Sequence, residues 1–66
     1  MTSAEMRAFM KGLERSGGNW KAIVKAAKIH PERYQLFRRE RVDFTSEEVE
    51  ALETALIDAG LLEAEE

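Results

Sequence analysis

A chain of 66 residues has room for one domain and no more. At that length only roughly 60% of the unfolded surface is buried on folding, and with no cysteine neither disulfides nor zinc thiolates nor iron–sulfur clusters can compensate. A composition of 44% hydrophobic and 35% charged residues excludes a disordered chain, and no apolar run approaches the roughly 20 residues of a membrane span.

The first residues lack the continuous apolar segment of a signal peptide, so a cytoplasmic protein is expected. The formal net charge of −3 hides a strong asymmetry. Residues 1–19 carry a net of +1. Residues 20–41 carry seven basic side chains against Glu32 and Glu40, a net of +5. Residues 42–66 carry nine acidic side chains and no basic one, a net of −9. A basic segment of this kind suits a polyanion, with the acidic half kept elsewhere.

The first predicted helix opens on Thr2-Ser3-Ala4-Glu5, a spacing at which Thr2 caps and Glu5 reaches back. Met6, Phe9, Met10 and Leu13 then form one apolar stripe, and Ser16-Gly17-Gly18 stops it. Asn19 is a favoured N-cap for a second helix of about nine residues. Its stripe is Trp20, Ile23, Val24 and Ala27. After the break Lys28-Ile29-His30, a third helix begins at Pro31, where a fixed φ and a missing N–H do no harm. Tyr34 and Phe37 point inward, with Glu32, Gln35, Leu36 and Arg39 on the opposite side and Arg33 on the flank. Arg38 falls at the core edge and is expected half-buried against Glu14 or Asp43.

Phe44, at the end of the short connector Val42-Asp43-Phe44, is expected to cover the core. Thr45-Ser46-Glu47-Glu48 is a second capping box. Val49, Leu52, Ala55, Leu56 and Ala59 make the buried stripe of the fourth helix, and Gly60 ends it. The expected fold is a compact all-α bundle of four or five short helices. A single domain spans 1–62, and the acidic residues 63–66 are expected to fray.

The pair of short helices joined by three residues between Trp20 and Phe44 is a helix-turn-helix arrangement. Ile23-Val24, Ala27, Ile29 and the anchors Tyr34 and Phe37 resemble the lambda-repressor/Cro-like family. Thr45, Val49, Leu52 and Ala55-Leu56 are similar to the helix that follows in that family. The chain differs from the family pattern at three places. Lys28 stands where the turn usually has glycine, His30 where the reading helix usually has a serine or threonine cap, and Glu40 where glycine commonly follows that helix.

The resemblance implies a sequence-specific, double-stranded-DNA-binding regulator of phage or bacterial style, acting as a dimer. Its reading helix, 31–40, would enter the major groove, which admits one α-helix. Glu32, Arg33, Gln35 and Leu36 would meet base edges, by cytosine, guanine, adenine and thymine-methyl contacts in turn. Lys21, Lys28, Arg39 and Arg41 would hold phosphates, which positions the protein without carrying sequence information. Leu61 and Leu62 are the apolar residues left over for a weak homodimer.

Plainer readings stand beside these. Seven basic side chains can be a solvated surface. His30 has no second metal ligand near it in sequence. Trp20 and Tyr34 could stack on bases, but their spacing is that of core residues. Without a cysteine nucleophile, a Ser–His–acid set or a ligand cluster, neither an enzyme nor a cofactor is expected. A domain this small is also expected to lack the volume of a ligand cleft. The alternative function is a protein-interaction module on a helix-turn-helix-like scaffold that does not bind DNA. A DNA-mimicking inhibitor is disfavoured because the acidic residues are confined to one end.

Overall fold

Thr2 and Thr45 each start a 13-residue helix, α1 (Ser3–Arg15) and α4 (Ser46–Asp58). Both capping boxes form: each threonine hydroxyl accepts the backbone N–H three residues on, and Glu5 and Glu48 accept the threonine N–H in return. Between them lie α2 (Trp20–Ala26), capped by the Asn19 amide, and α3 (Pro31–Arg38). The computed structural model describes residues 1–63, and these four helices are the regular structure among them. Glu63 follows the last turn outside any helix, and the rest of the expected tail, 64–66, lies outside the described residues.

All four helices close in the same way. The N–H two residues beyond each C-cap returns to the carbonyl five residues back, as in Gly18 to Leu13, Ile29 to Val24, Arg41 to Leu36 and Leu61 to Leu56. The residue just past each cap takes a left-handed backbone, the Schellman arrangement. At α1 and α4 that residue is Gly17 or Gly60. At α2 and α3 it is Lys28, with φ +59°, or Glu40, with φ +62°. These are two of the three places where the sequence departs from the family pattern. The backbone there adopts the shape glycine would favour.

Two helices are shorter than the sequence suggests. α2 has seven residues, and α3 stops at Arg38 because Glu40 has already left helical geometry. Ala59, expected in the buried stripe, is the exposed C-cap of α4.

The core is one cluster drawn from every helix. Met6, Met10, Tyr34, Phe37, Leu52 and Leu56 are its largest fully buried side chains. Phe44 closes it as expected, its ring stacked on Phe37 at 3.8 Å between centroids. Trp20 stacks on Tyr34 at 5.0 Å, so both are used in packing. α2 lies chiefly against α4, while α3 approaches α1 and α2. Leu62 is half-buried against the core. Of the leucine pair expected to be free for assembly, only Leu61 is on the surface, 43% exposed.

Candidate nucleic-acid interface

Three arginine clamps tie α3 and the loop after it to α1 and α4. Arg7 of α1 was not singled out by the sequence, yet it makes the most contacts. Its Nε donates to the Phe37 carbonyl at 2.7 Å, and its Nη2 donates to the Val42 carbonyl and to Asp43 at 3.0 and 2.9 Å. Its guanidinium also lies 4.7 Å above the Phe37 ring. One side chain, only 12% exposed, ties down the end of α3 and the loop after it. The sequence signal was its place directly after Met6, at the edge of the apolar stripe.

The second clamp joins Glu14 of α1 to α3. Its carboxylate accepts from the Tyr34 hydroxyl and from Arg38 Nε, both at 2.9 Å. Arg38 thus takes the first of its two expected partners, and its side chain stays 43% exposed. Burial, with the Glu14 contact adding to it, pushes the Tyr34 hydroxyl well above the ordinary tyrosine range.

The third clamp bears directly on the expected base-reading set. Arg33 donates from Nε and Nη2 to the two Glu48 oxygens, at 2.5 and 2.7 Å, a bidentate pair across to the start of α4. The hydrogen bonds from Arg33 pull the Glu48 carboxyl down to about 2 against the opposing effect of burial, with the Thr45 N–H and the Arg33 charge helping. Arg33 is therefore occupied by a carboxylate of its own chain.

Of the other residues expected to meet bases, Glu32 and Leu36 are exposed, and Leu36 is 44% accessible. Gln35 is half-buried and turned to the side, where it joins Lys21 in lining a groove between α2 and α3. Among the expected phosphate-binding residues, Arg39 and Arg41 are exposed and free of ion pairs among the described residues. Lys28 belongs to a different groove, between α2 and α4, which it lines with Thr54 and Asp58. The structure thus brings Lys21 and Gln35 together and sets Lys28 apart.

The expected serine or threonine cap has a substitute. His30 Nδ1 accepts the Glu32 N–H at 3.2 Å and starts α3, aided by Pro31. No group of histidine, cysteine and acidic side chains capable of holding a metal occurs among the described residues. Among the described residues no helix is long and apolar enough to cross a membrane.

The groove between α2 and α3 measures about 580 Å³. The expectation that so small a domain lacks space of ligand-cleft size is not met, because Trp20, Lys21, Val24 and Lys25 of α2 and Pro31 and Gln35 of α3 line a groove with Ile29 between them in the chain. Searches against family models, curated proteins and solved structures gave no match to this chain.

Proposed function

We propose that the chain binds double-stranded DNA as a helix-turn-helix regulator, with α3 in the major groove. What supports this most is how the cations are sorted. Arg7, Arg33 and Arg38 are spent in ion pairs. The exposed Lys21, Lys25, Lys28, Arg39 and Arg41 make no ion pair among the described residues, and neither do Lys11 and Arg15 of α1. Four of these are the phosphate-binding residues that the family resemblance implies. Glu32, Gln35 and Leu36 make up the base-reading set, and Arg33 joins it by exchanging Glu48 for guanine.

Binding to a radiolabelled duplex across a salt series tests the reading. Four phosphate contacts give a slope of about −3.6 in log K against log salt. A flat salt dependence removes the reading.

A protein-interaction module is the second reading. The Arg33–Glu48 pair favours it, because it leaves Glu32 and the exposed Leu36 at the front of α3. Binding of that kind has little counterion release, so the same salt series separates the two. For assembly, the proposal is a weak two-fold contact through Leu61 beside Ala8, Phe9 and Gly12 of α1, which line one shallow groove with it.

A further inference from the structure

We propose that the groove between α2 and α3 is a binding site for a small planar anion with an apolar body, in chemical class an aryl carboxylate. Its volume of about 580 Å³ lies within the range of small-molecule sites, which are mostly apolar with a few convergent polar groups. Trp20, Val24, Ile29 and Pro31 supply the apolar wall. Trp20 is fixed in place by its stack on Tyr34 at 5.0 Å, so the wall is already formed.

Of the three polar lining residues, Lys21 and Lys25 are on α2 and Gln35 is on α3. The Lys21 ammonium stands 5.7 Å from the Trp20 ring centre, and Lys25 follows one turn later on the same side of α2. Both are exposed, neither has a carboxylate partner among the described residues, and no acidic side chain lines the groove. An aromatic ring laid against Trp20 and Ile29 brings an attached carboxylate to these two ammonium groups. A nucleobase fits less well, because it carries donors and acceptors around its edge and Gln35 is the one lining side chain that offers both. Lys21 and Gln35 also belong to the proposed DNA face, so a bound anion competes with phosphate for Lys21.

The test uses the whole chain without DNA, so it reads the groove independently of the DNA proposal. Trp20 is the sole tryptophan, and its indole N–H gives a single resonance to follow by NMR as 1-naphthoate is added. The expected result is a saturable shift of Trp20 and of the backbone amides of Lys21, Lys25 and Ile29, with an affinity of about 1 mM. Neutral methyl 1-naphthoate, and the Lys21→Gln/Lys25→Gln variant with the acid, should each bind about tenfold more weakly. Both lysines are exposed, and a thermal melt of the variant confirms its fold. Shifts that do not saturate by about 10 mM overturn the proposal. So does equal binding of acid and ester, or equal binding by wild type and variant.

Discussion

Arg33 and Glu48, fifteen residues apart, form the side-chain bridge between α3 and the first turn of α4, two helices whose backbones do not closely approach. Because Glu48 also closes the α4 capping box, one carboxylate serves both the helix start and the helix pairing. Its folded-state value, about 2, lies below the ordinary 4.5. Its contribution to stability is therefore complete above about pH 4.5 and is lost as pH falls towards 2. Thermal melts followed by circular dichroism over that interval should show a falling midpoint, and Glu48→Gln should flatten the fall. The same variant frees Arg33 and is expected to tighten duplex binding.

Arg39 and Arg41 address the phosphate backbone in the proposed complex. Arg39→Ala should weaken specific and random duplexes alike and make the salt slope shallower by about one unit. The two substitutions together should double that change. Unchanged affinity in the double variant at low salt would mean that α3 does not lie as proposed.

Phe37 is fully buried between Phe44, Tyr34 and the Arg7 guanidinium. Phe37→Ala is expected to cost about 3–5 kcal/mol, most of what a domain of this size holds. The variant should lose its cooperative melt. A transition near the wild-type temperature would contradict the packing described.

Lys28 and Glu40 hold left-handed backbone at a cost of about 1–2 kcal/mol each relative to glycine. Part of that is offset by glycine's greater freedom when unfolded. Each glycine substitution should therefore raise stability by about 0.5–1 kcal/mol, read as a higher urea midpoint with an unchanged slope. Glu40→Gly also removes a negative charge between Arg39 and Arg41, so it should strengthen duplex binding where Lys28→Gly weakens it.

Leu61→Ser tests the proposed pairing. Sedimentation of the wild type should show self-association that strengthens with salt, as Asp58 and Glu63 on the two copies are screened from each other. The variant should stay monomeric.

The helices and core were readable because their signals are local: threonine caps with a glutamate three residues on, apolar stripes at helical spacing, and a proline start. The ends of α2 and α3 were not, since lysine and glutamate do not announce a left-handed turn as Gly17 and Gly60 do. The exposure of Glu32, Leu36 and Arg39 was readable, since they lie on the side opposite Tyr34 and Phe37. The Arg33–Glu48 pair was not readable, because Glu48 is on another helix and a helical wheel holds no information about neighbours. Arg7 shows the same difficulty in reverse, a surface-type residue recruited by carbonyls thirty and more positions away. The groove was invisible for a simpler reason: it depends on how two helices meet.

The capping boxes also bear on the order in which the molecule assembles. Isolated helices shorter than about 12–15 residues are marginal in water, so α2 and α3, of seven and eight residues, have little structure of their own. α1 and α4, longer and closed locally at both ends, can form fleetingly before any tertiary contact exists. Ile23, Val24, Tyr34 and Phe37 share one buried cluster with Met6, Met10, Leu52 and Leu56, so their burial depends on α1 and α4. Because α2 packs chiefly against α4, the segment of α2 and α3 that carries most of the basic side chains is expected to gain its packing only once α4 is present. A chain interrupted before Leu56 would carry the positive charge without the form that aims it.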